Sequence, residues 1–179
     1  MTQLPLPDNN EAPAGHRVWR LGANVDTDAL APGHAMKFGM DVIARHCLES
    51  MRPEFPTQVR PGDVVVAGPG FGIGSSREQA ASVLVALGVR AVIAPSYSGL
   101  YFRNAFNVGL LLLTCADVVS LREGDRIGLA VDDPDRPQVR AADGRMLACE
   151  PVPAFLMARV RAGGLLNELK QRFFKESHV

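Results

Sequence analysis

The chain has 179 residues, and its 19 Lys and Arg balance 19 Asp and Glu, so the formal net charge is zero. That balance excludes the basic face expected of a nucleic-acid binder. Hydrophobic residues make up 47% of the chain, enough to fill the core of one domain, and the longest apolar run, 108–114, is far short of the ~20 residues that span a membrane.

In chain order, residues 1–15 are rich in Pro and Asn and carry neither a basic nor an apolar block. They read as a flexible N-terminal tail and not as a secretory signal, so a cytoplasmic location is expected. The folded domain is expected over 16–179. His16–Leu21 reads as a first strand, and NVDTDALAPG (24–33) as a loop. Asp41–Met51 has helical spacing, stopped by Pro53 and Pro56. A turn at 60–63 introduces a strand at Val64–Ala67. After a glycine-rich segment, Gln79–Leu87 reads as a helix capped at Gly88. Val89–Ala94 is an apolar strand, Tyr97–Asn107 a helix closed by Gly109, and Leu110–Leu113 another strand. Strands alternating with helices favour a parallel βαβαβ unit with right-handed crossovers. Beyond Asp117, short strands at Asp125–Val131, Gln138–Ala141 and Met146–Pro151 are separated by turn signals and read as antiparallel. A helix from Pro153 to Phe174, interrupted at Gly163-Gly164, closes the chain. Cys47, Cys115 and Cys149 are widely spaced, with no Cys-x-x-Cys or Cys/His pattern. They read as small core residues and not as the ligands of a metal held by this chain.

The segment Gly70-Phe71-Gly72-Ile73-Gly74-Ser75-Ser76-Arg77-Glu78-Gln79 carries the chemistry. Its glycines do not fit G-x-G-x-x-G, no lysine makes it a P-loop, and the G-x-S-x-G elbow is missing. What remains is a strand, a tight turn and a helix start. Ser75-x-x-Glu78 fits a capping box, a purely local role. The same place also suits an anion: a helix N-terminus offers free N–H groups, and Arg77 offers a fork of donors matched to a carboxylate.

Four segments carry a family resemblance. GFGIGSSREQAA resembles the G-x-G-S-S-R-E-H-A signature of the swivelling domain of the aconitase superfamily. NVDTDALAPG resembles its N-x-D-T-D-x-I-x-P loop, and AVIAPSYSGLYFRNAFNVGLLLL its A-V-I-A-x-S-F-A-x-I-F-x-R-N segment. VRAGGLLNELK is similar to the end of stand-alone small subunits. The order is kept from about Arg17 to Lys170, and the length resembles the short small subunits of 3-isopropylmalate dehydratases and homoaconitases. The resemblance implies an α/β swivelling β/β/α domain with a central parallel unit and a β-rich second half. It implies a hydro-lyase half that works with a large subunit, which carries the [4Fe–4S] cluster; no cofactor is expected in this chain. Ser75 is then the catalytic base, Ser76, Arg77 and Gly74 meet a substrate carboxylate, and Asp28 stands at the cleft edge, where its bland role is an Asx turn or helix cap.

The sequence departs from the family at Ile73, where cysteine is usual, at Gln79, where histidine is usual, and at Gly70, often asparagine. In the resembling proteins the loop after Asp-Thr-Asp selects the substrate. Here it holds His34, Met36, Lys37 and Phe38. If extended, it puts Met36 and Phe38 on one side and Lys37 on the other, which suits an alkyl malate such as isopropylmalate, with Lys37 in solvent. A tricarboxylate of the homoaconitate kind or dimethylmalate is the alternative. A stand-alone anion-binding regulatory module is the alternative from another class. His46 reads as an ordinary helix residue, and Arg103, Asn104 and Asn107 as structural or contact residues.

Overall fold

The computed structural model describes residues 15–176. The expected tail therefore lies, Gly15 apart, outside the described residues. Seven strands form one mixed sheet: β1 (His16–Arg20), β2 (Val64–Val66), β3 (Ala91–Ala94), β4 (Leu111–Thr114), β5 (Arg126–Ala130), β6 (Gln138–Arg140) and β7 (Met146–Ala148). Their order is β4-β3-β2-β1-β5-β6-β7. β1 to β4 are parallel, in a register that aligns Val18, Val64, Ala91 and Leu111. β5 joins β1 antiparallel, and β6 and β7 follow as an antiparallel meander. The parallel unit and the antiparallel second half are as the sequence predicts. The added finding is that β1 extends the parallel set to four strands.

The reason lies in the strand composition. Val64–Val66 and Ala91–Ala94 are apolar at every position and buried at every position, which only a sheet covered on both faces allows. Because β1, β2, β3 and β4 are added in one direction, crossovers of one hand bring their helices to the same face. These are α1 (Thr27–Leu30), α2 (Met40–His46), α3 (Phe55–Gln58), α4 (Gln79–Ala86) and α5 (Gly99–Asn107), and α4 packs against α1, α2 and α5. The C-terminal helix is broken where predicted, into α6 (Ala154–Ala162) and α7 (Leu165–Glu176).

Two local readings are corrected. The predicted loop 24–33 contains α1, because Asp26 caps it by accepting from the Ala29 amide at 2.7 Å. The helix expected over Asp41–Met51 stops at His46, and Leu48 then turns the chain with φ 60°. The cysteines sit largely as read, Cys47 and Cys115 buried and Cys149 half-buried.

One buried carboxylate ties β1 to the turn before β2. Asp63 is 4% exposed, and its Oδ2 accepts from Arg17 at 2.6 and 3.1 Å, from the Trp19 indole at 2.9 Å and from the Arg60 amide at 2.9 Å. Burial alone would raise its pKa, but the bonds from Arg17, Arg60 and Trp19 outweigh burial and hold it below the ordinary aspartate value. A carboxylate lowered in this way stabilises the fold fully above the unfolded value of about 4 and loses that contribution as pH falls through the folded value. Asp63→Asn should cost about 3 kcal/mol at neutral pH, since it leaves Arg17 and the indole N–H facing a weaker acceptor. It should also flatten the acid limb of the stability curve. Denaturant melts of both proteins across pH check this.

Candidate functional site

The site forms where the chain leaves the carboxyl ends of β1 and β2, the usual place for a ligand in an open parallel sheet. The two exit loops continue the parallel pairing beyond the sheet. Gly68 donates to Gly22 at 3.0 Å, Asn24 to Pro69 at 2.8 Å, Gly72 to Val25 at 2.7 Å and Thr27 to Ile73 at 2.8 Å. On its other side the glycine loop is held by Phe71 donating to Ser96 at 3.1 Å and by Ser98 donating to Phe71 at 2.9 Å.

Such close lacing leaves no room for side chains. Gly72 has φ 77°, and a Cβ there would lie 2.1 Å from Tyr101 Cγ. Gly74 has φ 109°, and a Cβ would lie 2.9 Å from Thr27 Oγ1. The glycines therefore answer a steric demand at both points: positive φ and backbone contact with a neighbouring side chain.

The consequence is a convergent polar cluster. Ser75 Oγ lies 2.7 Å from Arg77 Nε and 3.0 Å from Thr27 Oγ1. Thr27 Oγ1 also accepts from the Ser75 amide at 3.0 Å, which leaves the threonine proton free to point at Ser75 Oγ. Both neighbours of the serine oxygen can donate, an arrangement that favours negative charge on that oxygen. Arg77 Nη1 bonds the Asp28 carboxylate at 3.1 Å and the Ala31 carbonyl at 2.6 Å. Asp28 Oδ1 in turn accepts from the Gly33 amide at 3.0 Å. Asn104, buried in α5, donates from Nδ2 to the Ser76 carbonyl at 2.9 Å and fixes the backbone beside Ser75.

The structure brings Gly74, Ser75, Arg77 and Asp28 together, with Ser76 beside them and exposed. It alters four expectations. The capping box is not formed: Ser75 turns to Thr27 and Arg77, and α4 begins only at Gln79, with no side-chain cap from Glu78. No helix N-terminus therefore sits at Ser75. The Arg77 fork is only partly open to a ligand, since Nε and Nη1 are engaged within the chain. The cap assigned to Asp28 belongs to Asp26, while Asp28 pairs with Arg77. The loop 33–38 is a 3-10 turn and not extended. Met36 packs on the core, Phe38 is 61% exposed, and Lys37 Nζ lies over the Phe38 ring at 5.0 Å, so Met36 and Phe38 do not share a side. His34 leans away to Glu49 at 3.3 Å. Ile73, adjacent in the chain to Gly74 and half-exposed, adds apolar surface to the loop.

Sequence reasoning missed Thr27 as a positioning residue and gave Asn104 only a general structural or contact role. A threonine between two aspartates reads as turn chemistry. Only the pairing of distant loops gives either a partner.

An exposed serine oxygen flanked by two donors, at the carboxyl ends of parallel strands, defines an α/β acid–base or anion site. The chain matches the aconitase C-terminal domain over residues 27–118, a range that includes Thr27, Asp28, Ser75, Arg77 and Asn104, and it belongs to that family. It is 37% identical to the 3-isopropylmalate dehydratase small subunit of Thermodesulfovibrio yellowstonii over 162 residues, 89% of this chain and 95% of the relative. It is 41% identical to the methanogen homoaconitase small subunit of Methanothermobacter thermautotrophicus over 153 residues, 84% of this chain and 87% of the relative. Among solved structures it is similar to 3-isopropylmalate dehydratase (leuD) from Methanocaldococcus jannaschii, with a TM-score of 0.83 and 34% identity, covering 91% of this chain and 96% of that one.

Gly72→Ala tests the lacing. The new methyl would displace Tyr101, itself buried at 1% exposure, and the backbone would leave its positive φ. A loss of several degrees in Tm is expected, together with altered chemical shifts at Thr27 and Ser75 in amide spectra. Unchanged spectra at both residues would show that the glycine loop tolerates a side chain.

Proposed function

We propose that this chain is the small subunit of a 3-isopropylmalate dehydratase, which interconverts 2-isopropylmalate and 3-isopropylmalate by dehydration and rehydration in leucine biosynthesis. The observation that carries the reading is the Ser75 oxygen, held between Arg77 Nε and Thr27 Oγ1. The similarity to small subunits of that name supports it.

In this reading a large subunit holds a [4Fe–4S] cluster, which supplies the Lewis acid for the substrate hydroxyl and a carboxylate. The cysteines of this chain do not offer such a ligand set: Cys47 and Cys115 are buried, and the three are widely spaced in the sequence with no Cys-x-x-Cys pattern. The chain's own task is the proton. Ser75 Oγ takes the proton from C3 as the hydroxyl leaves C2, and a carbon–carbon double bond forms. It returns the proton to C2 as water adds at C3. An alkoxide is a strong base made available at neutral pH only by donors that stabilise it, and Arg77 and Thr27 are those donors. The free Nη2 side of Arg77 and the Ser76 hydroxyl meet the substrate carboxylate. Closure by the large subunit excludes water and strengthens each of these interactions.

A homoaconitase small subunit is the second reading, supported by the methanogen relative and by Lys37, a cation suited to a third carboxylate. A binding-only module has no use for two donors aimed at a serine oxygen. The experiment is reconstitution with the cognate large subunit, assayed on 3-isopropylmalate and on homoisocitrate. The pair should turn over 3-isopropylmalate with the higher kcat/KM, and neither subunit should act alone. Ser75→Ala should lower kcat by at least about 10²-fold with KM little changed. Preference for the tricarboxylate, lost in Lys37→Ala, would make this a homoaconitase subunit. Retention of more than about a tenth of kcat in Ser75→Ala would remove Ser75 as the base.

A further inference from the structure

A cluster outside the Ser75 site joins the 3-10 turn to the end of α2. His34 Nε2 lies 3.3 Å from Glu49 Oε1, and His46 Nδ1 lies 2.6 Å from Glu49 Oε2. The two imidazole rings meet edge to face, with centroids 4.9 Å apart. One donor atom from each of the three residues lies within 4.8 Å of the others. We propose that His34, His46 and Glu49 form a binding site for a divalent transition-metal ion of the zinc class, which fastens the 3-10 turn to α2.

Donor chemistry selects the ion. Two imidazole nitrogens and one carboxylate suit zinc, cobalt, nickel or copper, and not the all-oxygen shells of magnesium or calcium. A tetrahedral zinc with bonds of about 2.0–2.1 Å separates its ligand atoms by about 3.3 Å. The His34–Glu49 distance, to Oε1, already matches that edge, and since the three donor atoms all lie within 4.8 Å of one another, no pair must move by more than about 1.5 Å to share one ion.

The backbone holds the donors in place without an ion. His46 is the last residue of α2, and Glu49 follows by one turn, its amide donating to the His46 carbonyl at 3.2 Å. The i, i+3 spacing puts both on one side of that turn. His34 is delivered from the 3-10 turn, which packs against α2. The His34, His46 and Glu49 side chains are 61%, 37% and 38% exposed, so an ion can enter and a water can complete its shell. His46 Nδ1 hydrogen-bonds Glu49 Oε2 at 2.6 Å, and an ion would replace that contact and take all three groups as ligands.

The site stands one residue from the substrate-side machinery. Gly33, which precedes His34, donates to the Asp28 carboxylate that pairs with Arg77. An ion here restrains the segment carrying Met36 and Lys37 without touching Ser75.

The test uses the full chain free of any histidine tag. Titration with Co2+ at neutral pH should produce the visible ligand-field bands of a four- or five-coordinate ion, saturating at a single equivalent. Zn2+ should abolish the bands and raise the Tm. His34→Ala, His46→Ala and Glu49→Gln should each weaken binding at least about tenfold, the loss that even outer partners of metal ligands cause. His34 is exposed, so His34→Ala should keep the metal-free Tm while losing the zinc-induced rise. A cobalt spectrum that stays that of the hydrated ion, or affinity unchanged in all three variants, would leave only an ion-pair network and overturn the proposal.

Discussion

The site depends on a short backbone ladder that continues the β1–β2 pairing past the end of the sheet. Four amide–carbonyl bonds between residues 22–27 and 68–73 bring Thr27 against Ser75, 48 positions away in the chain. Neither loop has another way to satisfy those groups as closely, and unpaired amides there would cost free energy. The ladder in turn requires glycine on one side. At Gly72 the neighbouring ring of Tyr101 occupies the place of a side chain, and at Gly74 the Thr27 hydroxyl does. The glycine-rich sequence is therefore the steric condition for a polar contact, and not a flexible hinge.

From that contact follows the electrostatics of the serine oxygen. A hydroxyl in water is a poor base, and the chain changes this with donors. Thr27 Oγ1 spends its acceptor capacity on the Ser75 amide and keeps its proton for Ser75 Oγ. Arg77 is steered to the same oxygen because Asp28 and the Ala31 carbonyl fix its other nitrogen. Asp28 is itself oriented by the Gly33 amide. Each of these partners is weak at an exposed surface, and each gains when a second protein covers the face and lowers the local dielectric. The arrangement fits the proposed role of a subunit whose chemistry begins on assembly.

Much of the fold was legible because the strands are plain. Val64–Val66 and Ala91–Ala94 are runs of apolar residues between turn signals, and Gly88 and Gly109 mark where the intervening helices end. β1 was also seen as a strand, but its parallel place beside β2 was not, since a strand's partner is not written in its own residues. The Ser75, Arg77 and Asp28 trio was reached through the family resemblance. Local pattern offered a capping box and an anion site with Arg77, and the structure replaces the capping box by contacts across 48 residues. The role of Thr27, and the partner of the structural residue Asn104, come only from tertiary pairing. The 3-10 turn at 33–38 is not legible in the sequence, since its buried Ala35 and core-facing Met36 show their period only once α2 is in place. His34 and Glu49, separated by a helix, gave no spacing that a ligand pattern would catch.

The central claim is that Thr27 and Arg77 together make the Ser75 oxygen basic. Thr27 offers the cleaner probe, because its methyl and hydroxyl are separable by substitution. The decisive measurement compares kcat for Thr27→Val and Thr27→Ser in the enzyme reconstituted with its large subunit. The account predicts a loss of about 10²–10³-fold in Thr27→Val, the usual cost of removing one donor from a developing oxyanion, and near-complete recovery in Thr27→Ser, with KM similar in both. Equal kcat in Thr27→Val and the unsubstituted enzyme would contradict it.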